Sequence, residues 1–546
     1  MATATIHTGP MAPLAIRLFR LLWLAQLASN VGSWMQSVGA QWLLVDVRHA
    51  ALLTALVSAA SLLPVFVLSL PAGVLADSFD RRWLLMAANG FMTLAAGLLA
   101  LLTWLGVAGP VEVLILTFAL GCGSAVGQPA WQAIQPDLVP RALIPSASAI
   151  TSANINIARA VGPALAGWLV AISGPALVFA INAISFLSVI GALALWHNRP
   201  RSRGATGMGP AIVSGLRYVR NAPGVRRIAL HAAVFVIPAS ALWALLAVIA
   251  HGVMRQQSSG YGLMLGGLGL GAVLGALVLP WLRGRLSNNE LLLGASLLYG
   301  LGMVAVGFLR SLAAVLGTLL VAGAGWVIVL SVLNTAMMLT LPAWVRARSL
   351  AIYSVVFMGG QGAGSMVWGF VAGAVGPVTT LLVASGLLVA GLAAMAIWPL
   401  YRLTGDLDRS IAKMPEDTSG DAAPASAGPV LIQIGYQVSQ DQAEAFEQAA
   451  RALALSRRRT GATSWDLWQD LADRGRFVEQ YTLPTWGEHM AQREERITGY
   501  DRDLERRAAA LAAPNPQVHH LIRPEHMPPT DRGIAVADRQ NRGESK

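Results

Sequence analysis

The first 402 residues consist almost entirely of long apolar stretches, and this pattern constrains the fold more than any other feature of the sequence. Charged residues or clusters of Pro and Gly divide the region into twelve stretches, each long enough to cross about 30 Å of hydrocarbon as a helix. They span approximately 18–46, 51–76, 83–107, 110–136, 145–172, 175–196, 227–252, 259–282, 289–309, 312–339, 349–373 and 377–401. Only 12% of all residues are charged, whereas soluble domains have about 25%. The sequence therefore predicts an all-α polytopic membrane protein and excludes a water-soluble enzyme of this size.

The arginines between these stretches predict the orientation in the membrane, because positive loop residues remain on the cytoplasmic side. With the N-terminus inside, 17 loop arginines lie on the cytoplasmic face and three, Arg48, Arg255 and Arg310, lie on the other. Both termini are therefore predicted to be cytoplasmic. Since the positive charge lies between apolar segments, the net charge of +11 does not indicate nucleic-acid binding.

Two further observations limit the chemistry. The single cysteine, Cys122, rules out a disulfide framework or a cysteine zinc site within the chain. No Gly-x-x-x-x-Gly-Lys-Ser/Thr phosphate loop occurs, which argues against an ATP-driven pump in one chain.

The twelve stretches divide into two similar halves, residues 1–196 and 227–402. At an offset of 202 residues, Gly73–Arg82 aligns with Gly275–Gly284, and Gly162–Ala171 aligns with Gly364–Gly373. Two separate matches at one offset predict two parallel six-helix repeats.

The segment between the halves, 197–226, is predicted to be a cytoplasmic linker with an amphipathic helix on the membrane surface. Ile212, Leu216 and Val219 share one face of that helix, and Arg217 and Arg220 lie on the opposite face.

The loop after the second stretch reads GVLADSFDRR and resembles the signature of the major facilitator superfamily, Gly-x-Leu-Ala-Asp-Arg-x-Gly-Arg-Arg/Lys. The matching residues are Gly73, Leu75, Ala76, Asp77, Arg81 and Arg82. An Asp at position 80 followed by two arginines resembles the form of this signature in the drug:proton antiporter branch. That branch includes exporters of macrolides and of siderophores such as enterobactin. Asp77 is expected to face the positive N-terminal end of the eleventh membrane helix and to latch the halves together. Alternatively, the charges of this hairpin only set the topology.

The fifth stretch, ARAVGPALAGWL, resembles the Gly-Pro-x-x-x-Gly element of the superfamily's antiporters. Gly162, Pro163 and Gly167 match this element. The proline bends the helix, and the small residues allow close packing, which by itself also accounts for the pattern.

Arg159 is the one Arg or Lys predicted at mid-membrane depth, where a guanidinium is costly unless it faces a wet cavity. It is predicted to bind an anionic group or to carry a charge that moves with the coupling step. Polar stripes at helical spacing in four helices predict a central substrate path, although some of these residues could serve ordinary interhelical hydrogen bonds. The substrate and coupling candidates are Arg159, Asn156, Asn30, Gln26, Gln128, Gln132, Gln361 and Trp34.

A proton-coupled exporter normally needs a titratable group within the membrane, and none of the carboxylates is predicted at mid-depth. Asp46 and Glu112 are predicted near the outer face and Asp137 near the inner face, while His231 is more typical of a packed side chain. The resemblance therefore implies the proton gradient as energy source, with no cofactor and no metal. It also implies the bacterial inner membrane as location.

After Arg402, a flexible linker (403–428) precedes a segment of ordinary charge, residues 429–528, and a disordered end, 529–546. The pattern predicts a strand at 429–438, a helix at 441–459, a hairpin at 463–472 and 476–484, two helical segments, and a strand at 518–522. This order predicts a small cytoplasmic ferredoxin-like α+β domain.

The tail resembles the antibiotic-biosynthesis monooxygenase type, and the whole arrangement resembles the transmembrane secretion effector subgroup. Trp468 and His489 are the candidate pocket residues of the tail. Trp465 and Trp468, three residues apart on a strand, are expected to face opposite ways. The tail is interpreted as a dimerisation or ligand-sensing module rather than an enzyme.

The sequence as a whole predicts a secondary transporter that exports amphipathic small molecules such as drugs, macrolides or siderophores by alternating access. Its partners are the small-molecule substrate and the lipid bilayer. The alternatives are a membrane-anchored cofactor-independent monooxygenase, and a facilitator with a different cargo, such as lipid, or a different coupling ion.

Overall fold

The computed structural model describes residues 11–196, 208–342, 344–400, 423–514, 516–523 and 525, with some side chains inside these ranges left undescribed. Most of the predicted linker 403–428 and all of the predicted disordered end 529–546 lie outside these residues. The chain forms two compact units. The first comprises Met1–Met208, Arg227–Met337 and Leu350–Leu400, and the second comprises Gly209–Arg226, Met338–Ser349 and Tyr401–Lys546.

The first unit is a bundle of long helices, as expected where every backbone polar group must be satisfied within its own segment. In chain order the helices are α1 (Arg17–Leu43), α2 (Ala50–Ser78), α3 (Arg81–Trp104), α4 (Pro110–Leu138), α5 (Ile144–Ser173), α6 (Pro175–Ala194), the short α7 (Met208–Asn221) of the second unit, α8 (Pro223–Val248), α9 (Ser258–Arg283), α10 (Asn288–Phe308), α11 (Leu312–Thr340), α12 (Arg346–Val375) and α13 (Pro377–Ile397). A π-turn, Ile249–Val253, extends α8.

Eleven of the described helices are long and apolar enough to cross a membrane. They are α2 to α6 and α8 to α13. Helix α1 has 27 residues and is less apolar, because it carries a run of Gln, Asn and Ser side chains. Apolar side chains such as Leu94, Trp104 and Leu277 remain exposed on the outside of the bundle, as expected for a surface that meets lipid.

The tight turns between α5 and α6 and between α12 and α13 have the same construction. Gly174 has a φ of 75° and Gly376 a φ of 84°, a region that glycine enters without steric cost. Each glycine is followed by a proline at the first position of the next helix, where its missing N–H is not needed. These two turns stand 202 residues apart, at the offset of the sequence repeat.

The two halves also pack against each other in matching ways. A Cβ added to Gly167 on α5 would lie 2.8 Å from the Cα of Gly262 on α9. A Cβ added to Gly369 on α12, 202 residues after Gly167, would lie 2.5 Å from the Cβ of Ala55 on α2. In both places a small residue lets helices from different halves approach closely.

The second unit contains a four-stranded antiparallel sheet with the strand order β2-β3-β1-β4. Its elements are β1 (Val430–Gln437), α14 (Ala443–Thr460), β2 (Ser464–Gln469), β3 (Arg476–Leu483), α15 (Trp486–Ala491), a π-turn (Gln492–Arg496), α16 (Gly499–Ala509) and β4 (Gln517–Ile522). Buried and partly buried residues alternate along β1, so Val430, Ile432, Ile434 and Tyr436 join the core around Phe446.

The interior of this α+β domain also holds a charged cluster. Arg457 on α14 donates from Nε to Oε1 of Glu479 on β3 at 3.1 Å, and it also pairs with Glu505. Glu479 further accepts hydrogen bonds from Tyr436 at 3.0 Å and from the indole of Trp465 at 3.0 Å. Burial, reinforced by the Glu479 carboxylate, raises the pKa of Tyr436 well above its usual value. The buried carboxylate is thus satisfied by three donors, as burial of a charge requires.

Helix α7 lies in the segment between the halves, and two of its described side chains contact other parts of its unit. Arg217 donates a hydrogen bond to the carbonyl of Gly461 at 2.6 Å. Tyr218 packs edge-on against Trp344, and the Arg496 guanidinium covers the same indole at 5.2 Å from its centre. Gly209–Arg226, which includes most of α7, belongs to the unit that contains the sheet, and the position of this helix on a membrane surface stays a prediction.

Candidate substrate cavity

A cavity of about 380 Å³ lies inside the helical bundle, within the size range of small-molecule sites. Helices from both halves line it: α1, α2 and α5 from the first, and α8, α11 and α12 from the second. The lining residues are Trp34, Leu62, Arg159, Trp243, Trp326, Leu330, Asn334, Tyr353, Ser354, Phe357, Met358 and Gln361.

Aromatic rings form a continuous wall of the cavity. The ring centres of Trp34 and Trp243 lie 6.0 Å apart, those of Trp243 and Trp326 lie 5.7 Å apart, and those of Trp326 and Phe357 lie 5.8 Å apart. These tilted and edge-on arrangements are the ones that ring quadrupoles favour. The wall therefore offers flat apolar faces to a bound molecule.

Arg159 is the one charged residue among those that line the cavity. Its guanidinium lies over the Trp34 ring, 5.8 Å from the centre, within the range of a cation–π contact. Its Nε is buried and has no hydrogen-bond partner among the described residues. The described lining thus contains a cation and no carboxylate.

Glycine residues fix the backbone around Arg159. A Cβ added to Gly162, one turn further along α5, would lie 2.7 Å from the Cβ of Trp34. On the other side, a Cβ added to Gly269 of α9 would lie 2.6 Å from the carbonyl oxygen of Arg159. The arginine is therefore held between α1 and α9 by backbone contacts that a larger residue would prevent.

Gln361, Ser354, Asn334 and the hydroxyl of Tyr353 supply the other polar groups of the wall. The Tyr353 hydroxyl is buried without a hydrogen-bond partner in the described part of the chain. Of the substrate and coupling residues predicted from sequence, the structure brings together Arg159, Trp34 and Gln361 in this cavity.

The polar stripe on α1 has a different environment. Gln26 donates to Asn30 at 3.1 Å, Asn30 donates to Asn154 on α5 at 3.0 Å, and Asn154 donates to the carbonyl of Trp23 at 2.9 Å. This chain of hydrogen bonds connects α1 to α5. Gln26 and Asn30 are therefore engaged in helix packing, the alternative that spacing alone left open.

Three other predicted residues do not line the cavity described above. Gln128 and Gln132 are exposed on α4. Asn156 donates to the carbonyl of Ser152, one turn earlier on α5, at 3.0 Å.

The signature loop is described only in part. Arg82 donates to the carbonyl of Ala194 at 3.0 Å, and the Asp80 carboxylate caps the start of α3 by accepting from the Arg82 backbone N–H. Arg81 is the first residue of α3. The side chain of Asp77 and the surroundings of Gly73 lie outside the described part of the structure. The latch between the halves therefore remains a prediction.

In the Gly162–Pro163–Gly167 element, the second glycine lies at a close contact between the halves. The hydroxyl of Ser258 on α9 donates to the carbonyl of Gly167 at 3.1 Å. A Cβ added to Gly262 would lie 2.5 Å from the carbonyl of Pro163. The element thus provides the surface on which α9 packs.

The carboxylates and histidines that the structure describes in the bundle are not among the residues that line the cavity. Asp46, after α1, pairs with His251 in the π-turn after α8 at 2.8 Å. Glu112 accepts from the backbone N–H of Gly109 at the start of α4. Nδ1 of the buried His231 lies 2.7 Å from the carbonyl of Arg227, one turn earlier, which is typical of a packed histidine.

The two tail residues proposed from sequence are not brought into one pocket. Trp468 lies on β2, is 58% exposed and borders an open groove of about 460 Å³ between β2 and α14. His489 on α15 is buried against Trp486 and His520 of β4. Because β2 and β4 are the opposite edges of the sheet, the two side chains are separated. The indole that reaches the interior is that of Trp465, which bonds to Glu479.

Sequence reasoning missed the second-half wall of the cavity, above all Trp243, Trp326, Phe357 and Tyr353. The positions of the two tryptophans were a usable signal. Tryptophans of membrane helices are usually enriched near the interfaces, whereas Trp243 and Trp326 lie inside their helices. No group of three or more His, Cys, Asp or Glu that could hold a metal occurs among the described residues.

Comparison with known proteins identifies the family. Residues 8–528 match the family described as transmembrane secretion effector, so the match includes the tail. The chain is 27% identical to the staphyloferrin A transporter of Staphylococcus aureus over 51% of this chain and 70% of that protein. It is 25% identical to the multidrug efflux pump Tap of Mycolicibacterium fortuitum over 67% of this chain and 91% of that protein.

Solved structures share the fold at low sequence identity. The nucleoside transporter NupG has a TM-score of 0.54 and 15% identity, and the match covers 71% of this chain and all of that one. A bacterial homolog of the human lysosomal transporter Spinster, in an inward-facing and occupied conformation, has a TM-score of 0.57 and 14% identity, covering 70% of this chain and 96% of that one. With its apolar helices and a family match that covers most of its length, this chain belongs to the transmembrane secretion effector family of major facilitator transporters.

Proposed function

We propose that the protein is a secondary exporter that moves amphipathic small molecules across the bacterial inner membrane by alternating access, in exchange for protons. The observation that carries the proposal is the aromatic cavity with Arg159 at the seam between the two halves. Among the relatives, one is named as a staphyloferrin A transporter and another as a multidrug efflux pump, and the second name supports export as the direction.

The packing of the halves supports alternating access. Close contacts between the halves include those of Gly167 near the end of α5 and of Gly369 near the end of α12. Arg159 and Gln361 each lie eight residues earlier, or about 12 Å along the helix. A central cavity beside one tightly packed end is the arrangement expected of a transporter that opens one side at a time.

The topology that we propose has twelve spans, in which α1 joins the eleven helices of sufficient apolarity, and both termini in the cytoplasm. The polar side chains that lower the apolarity of α1 face other helices rather than lipid, as the contact of Asn30 with Asn154 illustrates. The transporter is expected to need no bound cofactor or metal and no nucleic acid.

We propose that the tail is a ferredoxin-like domain that dimerises or senses a ligand. The strand order and the antiparallel pairing support this fold. The charged cluster of Arg457, Glu479 and Tyr436 occupies the interior, which favours a structural or sensory role over a monooxygenase. Oxygen consumption by the intact protein with a quinol would favour the enzyme instead.

The experiment that tests export uses purified protein in lipid vesicles. With an acidic lumen and a neutral exterior, an amphipathic dye should accumulate inside, because protons leaving through the transporter drive the exchange. Collapse of the gradient with an ionophore should abolish the accumulation, and protein-free vesicles measure the passive part. Accumulation that is independent of the gradient would contradict proton exchange, and no protein-dependent accumulation of any tested dye would contradict export.

A further inference from the structure

The charges around the cavity are one-sided. Arg159 carries a positive charge, and none of the other described lining residues is ionised at neutral pH. Removing a guanidinium from water without an anionic partner is costly, and the contact with the Trp34 ring compensates only part of that cost. Arg159 thus has no counter-ion among the described lining residues, and a negatively charged ligand would provide one.

Two of the lining residues carry polar atoms that lack a partner. Nε of Arg159 and the hydroxyl of Tyr353 are both buried without a partner in the described residues, and both belong to residues that line the cavity. An arginine can only donate hydrogen bonds. Because its guanidinium also brings a positive charge to the wall, a ligand with acceptor oxygens suits this cavity.

The aromatic part of the wall indicates what the uncharged part of the ligand looks like. Trp34, Trp243, Trp326 and Phe357 present flat faces at spacings of 5.7–6.0 Å, and about 380 Å³ is available. Ring systems stack well on such faces. An anionic group beside Arg159 and a planar body against the tryptophans would use both parts of the cavity.

We infer that the cargo of this transporter is a planar amphiphile with at least one negative charge, and that the cavity discriminates against cationic amphiphiles of the same shape. The inference rests on the proposed function for the movement of the cargo, whereas the charge preference is a property of binding alone. Arg159 is therefore a specificity-determining residue that contacts the anionic group, and the aromatic wall contacts the rings.

The test compares two dyes with the same three-ring xanthene skeleton and opposite charge: carboxyfluorescein, an anion, and rhodamine 123, a cation. Binding to the full-length protein in lipid nanodiscs is measured by fluorescence anisotropy at neutral pH. We expect the anion to bind about tenfold or more tightly than the cation, because a charge-assisted hydrogen bond contributes about that factor. Arg159→Gln should remove this preference, and Arg159→Glu should reverse it.

Two controls separate charge selection from damage to the fold. Arg159→Lys keeps the charge and should retain a preference for the anion. Arg310→Gln removes one positive charge at an exposed site between α10 and α11, where the arginine bonds to the carbonyl of Gly307, and it should leave both affinities unchanged. Equal binding of the two dyes, tighter binding of the cation, unchanged preference in Arg159→Gln, or no binding of either dye would overturn the inference.

The binding result is independent of the vesicle experiment. If the anion preference holds in nanodiscs and no gradient-dependent uptake occurs in vesicles, the proposed function fails and the binding inference stands. If proton-driven uptake occurs and the cation is preferred, the function stands and the inference about the cargo fails.

Discussion

Arg159 on α5 and Gln361 on α12 stand 202 residues apart in the chain and line one cavity from the two halves of the bundle. The same offset relates Gly167 to Gly369, each of which packs against a helix of the opposite half. Two halves with the same fold bring equivalent backbone positions to the shared axis. The side chains at positions 159 and 361 differ, so the first half contributes a positive charge to the cavity and the second half contributes a neutral amide.

Close packing at Gly167 predicts that this position tolerates no larger side chain. A Cβ there would lie 2.5 Å from the carbonyl of Ser258, so Gly167→Val should separate α5 from α9 and reduce gradient-driven uptake by about tenfold or more. Overpacking of this kind costs about 1–3 kcal/mol, which a lower melting temperature should register. Gly373→Val is the matched control, because a Cβ at Gly373 meets no atom within 4 Å. Equal uptake by the two variants would refute the prediction.

The contact of Asp46 with His251 predicts that this pair connects the two halves at one end of the bundle. His251 lies 2.8 Å from Asp46 and edge-on to the ring of Trp42. His251→Ala removes both contacts, so we expect the end of α8 to pack less firmly against α1. Because the pair is partly exposed, the loss of stability should be about 1 kcal/mol, measured as a lower melting temperature.

The nearby exposed His49 provides the control for that experiment, since Asn tolerates its positive φ of 65°. His49→Asn should retain the melting temperature of the native protein. Equal melting temperatures of the native protein and His251→Ala would exclude this role for the pair.

The buried pair of Arg457 and Glu479 predicts a large effect on the stability of the tail. The two side chains are 5% and 1% exposed, so Glu479→Gln removes one of the two carboxylates that pair with the buried guanidinium, which keeps Glu505 and the ring of Tyr481. Loss of one partner of a buried pair costs about 3–5 kcal/mol, whereas Glu447→Gln in the exposed pair with Arg451 should cost less than about 1 kcal/mol. Denaturant titration followed by hydrogen exchange in β3 measures the difference, and similar losses in both variants would contradict it.

Acid should destabilise the region around His489. Burial, followed by the charges of His520 and Arg493, lowers the pKa of His489 to about 3, while histidine in an unfolded chain has a pKa of about 6.5. Between these values the unfolded chain binds a proton that the folded chain does not, so stability falls as the pH falls below about 6.5.

The expected loss from this histidine is about 2 kcal/mol between pH 7 and pH 5. Hydrogen exchange of α15 and β4 in the intact protein at these two pH values would measure it. In His489→Phe the pH dependence of exchange, after correction for the intrinsic rate, should be smaller by that amount. An unchanged dependence in the variant would show that other groups cause the acid sensitivity.

The membrane helices were largely predictable because length and apolarity alone decide whether a segment can cross a bilayer. The predicted spans 145–172 and 175–196, and likewise 349–373 and 377–401, meet at the observed turns at Gly174 and Gly376, where a glycine followed by a proline separates two helices. The strands of the tail followed from alternation, as in Val430, Ile432 and Ile434.

The residues that line the cavity were harder to predict. Helical spacing shows on which face of a helix a polar residue lies, but not which residue of another helix it contacts. Gln26 and Asn30 share a stripe with Trp34, yet the amides bond to α5 and the indole lines the cavity. Asn154, which completes that hydrogen-bonded chain, lies two residues before Asn156 on α5 and so faces another side of the helix.

Composition and spacing along single segments sufficed to predict which parts of the chain meet lipid, the repeat and the cost of a charge at Arg159. The packing of the folded chain places Arg159 in one cavity with Trp243, Trp326 and Gln361, and it places Trp468 and His489 at opposite edges of a sheet. Contacts between helices that are hundreds of residues apart depend on how two halves pack, and no local pattern of residues records that geometry.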